Sequence, residues 1–263
     1  MATRVFLSLR LPRTLTALIA GAVLGLCGGV YQMLFRSPLA SPDLTGISSG
    51  ASLGAALAIV LGITSSSLRM GFAFAGGMLS LLLVLLLVRA AGGTRLGTYI
   101  LAGIVISAVA DAGLMVLKTL ADPERQLAAI DFWTMGSLSA VSAARALPMV
   151  ALALPSLVLL WLFRRPITML SLGGEESRAM GLSPHAWRGI LLTLSTLAVS
   201  ATVSVTGVIG FVGLIAPHTA RLLYRRYTVA VSFYSYIKPY EPYSQHLHLH
   251  QCRISDSFCT QRT

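Results

Sequence analysis

From residue 70 to residue 88 the chain carries no charged side chain, and that run is long enough to cross the hydrocarbon core of a bilayer, which takes about 20 apolar residues as a helix. Uncharged runs recur at 14–35, 44–63, 146–163 and 189–205, and apolar runs that carry Asp111 and Lys118 or Arg221 at 98–120 and 207–223. The composition agrees: 55% of residues are hydrophobic and 11% charged, which belongs to membrane proteins rather than soluble globular ones. The expected fold is all-α, a polytopic membrane helix bundle with about seven spans. A first run of more than 20 residues, with no small-residue cleavage pattern after it, is expected to stay in the membrane rather than be removed as a leader.

The net charge of +11 does not indicate a nucleic-acid partner. Most arginines stand at the ends of apolar runs, where they act as topology signals and head-group anchors. Cys27, Cys252 and Cys259 form neither a metal-binding spacing nor an even disulfide framework. No metal and no cofactor are expected. Lys118 and Lys238, the only two lysines, lie outside any G-x-x-x-x-G-K-[ST] pattern, so the chain has no phosphate-cradling loop of its own and is not expected to be an enzyme.

Residues 1–13 form an arm with Arg4, Arg10 and Arg13, and Pro12 stands where a first helical turn tolerates it. Gly21, Gly25 and Gly29 recur every four residues and leave one helix face open to close packing. Pro38, Pro42 and Asp43 then break the chain. Gly46, Ser48 and Gly50 match the G-x-S-x-G pattern of serine hydrolases, with His218 as a conceivable base. That motif needs a strand before its turn, and small residues for helix contact explain these positions better.

Asp111 lies near the middle of the 98–120 run, where an ionisable group is costly and points to a functional or paired position. Lys118, two turns on along the same face, can snorkel to the interface. Residues 121–144 are too polar to span; Phe132 and Trp133 suit an interfacial helix. The stretch LSLGGEESRAMGLSP, 170–184, holds Glu175 and Glu176, two of only nine acidic residues. It reads either as a mechanical handle between two spans or as a solvated loop. Gly207, Gly210, Gly213 and Pro217 imply a bent helix beside a cavity. From 227 to 263 the composition changes, and the alternating His246, His248 and His250 belong to a tail with no expected function, disordered by composition.

Seven alternating spans place Arg36, Arg89, Arg95, Arg164, Arg165, Arg178, Arg188, Arg221, Arg225 and Arg226 on one side. Arg69, Lys118, Arg125 and Arg145 fall on the other, together with the arm. Positive charge marks the cytoplasmic side, so the 168–188 segment is expected in the cytoplasm and the arm outside.

The motifs RLPRTLTALIAGAVLGLCGGVYQMLFRSPLASPDLTGISSGASLG, LAG at 101–103, FWTMGSLS, LSLGGEESRAMGL and GVIGFVGLIAPHTARLL occur in the order found in the FecCD-type permeases, and over about residues 9–223 the chain resembles that family. The resemblance implies a permease subunit of an ATP-driven ABC importer for an iron chelate, with ferric siderophore favoured over haem and cobalamin. It implies a multi-pass protein of a bacterial cytoplasmic (inner) membrane, paired with a second permease copy or paralogue. Its partners would be a cytoplasmic ABC ATPase dimer and a periplasmic or surface substrate-binding protein. By position, Gly173, Glu175, Glu176, Ala179 and Gly181 match the ATPase-coupling helices. Arg10 and Arg13 match outward arginines that dock the binding protein, and Arg95, Gly97 and Thr98 fall at the inner gate loop. Asp111 stands where the family pattern favours a small uncharged residue. About ten spans are usual in the family, and its first and last two have no counterpart here; a truncated, non-functional permease fragment is the alternative expectation. A secondary transporter using Asp111 is the other.

Overall fold

A backbone in lipid must satisfy its own N–H and C=O groups, and the apolar runs do so as helices. A computed structural model describes residues 10–92, 96–139, 141 and 143–224. Residues 1–219 form one compact unit; of the second, residues 220–263, only the end of the last helix is described. Among the described residues there is no strand. The helices are α1 (Leu11–Leu34), α2 (Ile47–Val60), α3 (Ser66–Ala90), α4 (Leu96–Leu120), α5 (Gln126–Met135), α6 (Ala143–Leu162), α7 (Arg164–Leu172), α8 (Gly174–Ala179), α9 (Pro184–Thr206) and α10 (Val212–Tyr224).

Five of these, α1, α3, α4, α6 and α9, are long and apolar enough to cross a membrane. The second and seventh expected spans are shorter helices. With 14 residues, α2 reaches about 21 Å at 1.5 Å per residue, less than the hydrocarbon thickness. The expected start at residue 44 moves to 47, because a turn of 3₁₀ helix, Pro42–Thr45, ends at Gly46 with φ 74°. This irregular segment packs against the interior of α4: a methyl group on Gly103 would overlap the Leu44 carbonyl, and an ideal Cβ on Gly46 would sit 3.0 Å from Ser107 Oγ. Its polar groups find partners locally, as irregular backbone at membrane depth requires. The Thr45 hydroxyl donates to the Pro42 carbonyl at 2.8 Å, and the Ser48 hydroxyl donates to Asp43 Oδ1. Ser48 is thus engaged with Asp43 at a helix start, and no strand precedes it.

The core centres on α9, which packs against α1, α2, α3 and α6. Its buried face mixes Leu191, Leu192, Ala198 and Val203 with Ser195, Thr196, Ser200 and Thr202. Hydroxyls in such a helix return their hydrogen bond to the preceding turn, as Thr202 does to Ala198 at 2.9 Å. Across the helix interface, the Tyr31 hydroxyl lies 3.1 Å from Thr45 Oγ1 and 3.2 Å from Thr196 Oγ1, joining α1, the 3₁₀ turn and α9.

The glycine face of α1 meets α10: Gly25 and Gly29 stand opposite Ala216 and Pro217. The tightest position is Gly28, outside the every-fourth pattern, where a methyl group would overlap the Gly213 carbonyl. The polar stretch after α4 forms α5, ten residues long, which places Ile130 against Ala56 and Ile59 of α2 and leaves Phe132 exposed. Before α10 the chain breaks at Gly207 (φ 72°) and Phe211 (φ 64°), and Pro217 lies inside that helix.

Candidate functional site

The segment between α6 and α9 is built as a platform. Trp161 lies in the last turn of α6 and Phe163 just beyond it, with the Arg164 guanidinium 4.8 Å over the Trp161 ring and Phe163 edge-on to Trp187 at 5.3 Å. α7 buries Ile167 and Leu170 and packs on α1. At Gly173 the chain turns with φ 154°, a region that favours glycine. Here the backbone passes beside Arg36, at the far end of α1.

The short helix α8 follows, held by Ser177. This side chain is buried, and its one hydroxyl proton is shared between the Met169 carbonyl of α7, at 2.8 Å, and the Gly173 carbonyl. α8 ends in a Schellman arrangement, with Gly181 N–H donating to the Arg178 carbonyl at 2.9 Å and Leu182 N–H to the Ser177 carbonyl at 3.0 Å. Gly181 supplies the left-handed residue this closure needs, with φ 80°. Glu175, Glu176, Ala179 and Gly181 are all exposed, and Gly173 is buried beneath them. The two glutamates occupy the first turn of α8, where negative charge suits the helix dipole.

Beneath α8 lies a cationic base. An ideal Cβ on Gly173 would be 3.7 Å from Arg36 Nη1 and one on Gly174 3.9 Å from Arg188 Nη2, and Arg178 is close enough to act on Arg188 electrostatically. Leu96, Glu175, Arg178, His185 and Arg188 line a hollow of about 310 Å³ that joins the start of α4 to α8 and to the start of α9. Next to it, Tyr99 Oη and His185 Nδ1 are 3.2 Å apart, a hydrogen bond between α4 and α9.

Five sequence-selected residues, Gly173, Glu175, Glu176, Ala179 and Gly181, therefore share one surface element. Gly97 and Thr98, in the first turn of α4, stand at the same end of the bundle beside Leu96 and Tyr99; Arg95 lies outside the described residues. Arg10 and Arg13 are exposed at the opposite end of α1 from Arg36, about 36 Å away along a helix of 24 residues. Asp111 is on the exposed outer face of α4, between Ile104 and Met115 and away from α9. The same-face pairing with Lys118 is not formed: Lys118 Nζ sits 2.8 Å from Asp131 Oδ1 of α5. The tail 227–263 and residues 1–9 of the arm are outside the described residues. Ser177, Tyr99 and His185 were not selected from sequence. No local signal marks them: the burial of Ser177 and the pairing of Tyr99 with His185 follow from packing.

The model of the FecCD transport family matches residues 1–237. The chain belongs to the FecCD transport family. It is 38% identical over 223 residues to the hemin transport system permease protein HmuU of Yersinia pestis, covering 83% of this chain and 66% of that protein. It is 37% identical over 219 residues to the vitamin B12 import system permease protein BtuC of Escherichia coli O6:H1, covering 81% and 65% respectively. The chain thus spans about two thirds of the length of these curated relatives. Among solved structures it resembles a metal-chelate type ABC transporter in an inward-facing conformation, with TM-score 0.77 and 34% identity over 84% of this chain and 70% of that one. This FecCD family member is a multi-pass membrane protein.

Proposed function

We propose that the chain is a permease subunit of an ATP-driven ABC importer for an iron chelate, with ferric siderophore as the favoured cargo, and that α8 is its ATPase-coupling helix. The observation that carries this reading is the connection of α8 to α9. An exposed helix, pinned by Ser177 and closed at Gly181, leads within a few residues into the most buried spanning helix of the bundle. A push on Glu175, Glu176 and Ala179 is transmitted to α9 and, through Tyr99 and His185, to the start of α4, where Gly97 and Thr98 sit; Arg95, the gate-loop residue by family position, precedes them in sequence. Relatives described as hemin and vitamin B12 permeases support the importer class.

In this reading a cytoplasmic ABC ATPase dimer receives α8. The opposite end, with Arg10 and Arg13, docks acidic residues of a periplasmic or surface binding protein. The exposed face of α4, which carries Asp111 among Leu101, Ile104, Val105 and Met115, turns toward a second permease copy and the transport pathway. Closure of the ATPases shifts the population between inward- and outward-open states through differential contacts with α8.

The test is co-purification of the tagged chain with the ATPase encoded beside it, from detergent-solubilised membranes, against a variant with residues 173–181 scrambled. Capture by the native chain and loss in the variant is the expected result. Equal capture by both, or normal uptake with the scrambled segment, would overturn the assignment.

A further inference from the structure

At the end of the bundle remote from α8, two hollows lie side by side and share Met70 and Arg145. The first, of about 230 Å³, is lined by Ser66, Arg69, Phe132, Trp133, Ser137 and Arg145. The second, of about 240 Å³, continues between α3 and α6 along Gly71, Phe74, Pro148 and Leu152. One chamber thus has two guanidinium groups and three hydroxyl side chains, Ser66, Ser137 and Thr206, and the slot leading from it is mostly apolar.

Arg69 is the informative side chain. Its Nη2 donates to the Thr64 carbonyl at 2.8 Å, which fixes the guanidinium at the start of α3. Its Nε–H is buried and has no hydrogen-bond acceptor among the described residues. A buried donor of this kind calls for an acceptor oxygen, and a guanidinium fork suits phosphate oxygens. Trp133, beside it, has the amphipathic ring that settles at head-group level, and Phe132 adds apolar surface next to it. The slot below runs between two membrane-spanning helices, where acyl chains are the solvent.

We propose that these joined hollows form a binding site for an anionic phospholipid, with the head-group phosphate at Arg69 and Arg145 and one acyl chain in the slot along Gly71 and Phe74. Charge and shape together select this occupant. A soluble anion would use the first chamber and leave the apolar slot in water. An apolar helix packed in the slot would fill it but bring no side-chain acceptor for Arg69. A guanidinium pair at the mouth of an apolar slot matches the phosphate and acyl chain of one lipid, and a lipid wedged between α3 and α6 would brace the bundle against α9, which lines both hollows through Ala201, Ser204 and Thr206.

The experiment is native mass spectrometry of the full chain, released from vesicles of equal parts phosphatidylglycerol and phosphatidylcholine and progressively delipidated. The expected result is retention of phosphatidylglycerol in preference to phosphatidylcholine, reduced about tenfold in Arg69→Gln and in Arg145→Gln. Gly71→Leu is the second variant: a Cβ there meets nothing within 4 Å, so the backbone has room for a side chain at the slot, and retention falls while the melting temperature of the fully delipidated protein holds. Equal retention of the two lipids, or phosphatidylglycerol retention unchanged in Gly71→Leu, would overturn the proposal. Competition by glycerol 3-phosphate as effective as by the intact lipid would identify a free-anion site and overturn it as well.

Discussion

The Ser177 hydroxyl donates to the Met169 carbonyl at 2.8 Å and so ties the exposed helix α8 to the last turn of α7. α7 is anchored by Ile167 and Leu170, whereas most of α8 is exposed, so this buried hydroxyl is a main tie of α8 to α7. Ser177→Ala should remove about 1 kcal/mol of local stability. Hydrogen exchange would read this as faster exchange of the α8 amides, with the exchange of α9 unchanged. Slow exchange throughout α8 in the variant would mean that other contacts hold the helix.

Glu175 and Gly181 separate surface from backbone. Glu175 is exposed, so Glu175→Lys should leave the melting temperature unchanged while capture of the ATPase drops. Gly181 has φ 80°, and Gly181→Ala should cost about 1 kcal/mol through left-handed strain. Thermal melts in detergent, run beside the capture assay, distinguish the two effects. A strong loss of fold in Glu175→Lys would contradict an exposed role.

The hydrogen bond between Tyr99 and His185 spans α4 and α9. Tyr99→Phe removes it and keeps the ring, which packs edge-on to Phe35 at 6.5 Å. The expected outcome is ATP hydrolysis that persists while uptake falls, measured in vesicles with the reconstituted complex. Proportional loss of both activities would place the bond outside the coupling route.

Asp111 and Lys118 should behave independently. Lys118 pairs with Asp131 in a half-exposed ion pair, for which about 0.2–1 kcal/mol is typical. A double-mutant cycle on Lys118 and Asp131 should return a coupling energy in that range, and one on Lys118 and Asp111 should return none. Uptake by Asp111→Asn should still depend on ATP and survive collapse of the proton gradient. Uptake that needs the gradient and Asp111 would support a secondary transporter instead.

Gly28 and Gly21 give a matched pair on α1. Gly28→Ala must push α1 from α10, because a methyl group overlaps the Gly213 carbonyl; a Cβ on Gly21 meets nothing within 4 Å. Overpacking of this kind costs about 1–3 kcal/mol. Melts of the two variants should therefore differ, with Gly21→Ala close to the parent.

Hydropathy alone determined that the chain is a bundle of membrane helices, since a run such as 70–88 has no other way to satisfy its backbone in lipid. The motif order around 173–181 likewise marked the family and the candidate coupling element, because glycines at a turn and glutamates on an exposed first turn are local requirements. Tertiary structure alone decided the rest. The 44–63 run held no local sign that its first residues would form an irregular turn packed against Gly103 and Ser107. Lys118 lies on the same face as Asp111 by helical spacing, yet it pairs with Asp131 because the chain folds α5 back over the end of α4. Gly28 escaped the every-fourth pattern that flagged Gly25 and Gly29, since closeness of approach depends on where α10 crosses α1. Tyr99 and His185 are 86 positions apart, and Arg69 and Arg145 lie on different helices. Spacing along one chain fixes neighbours on one helix, while contacts between helices follow from how their faces pack.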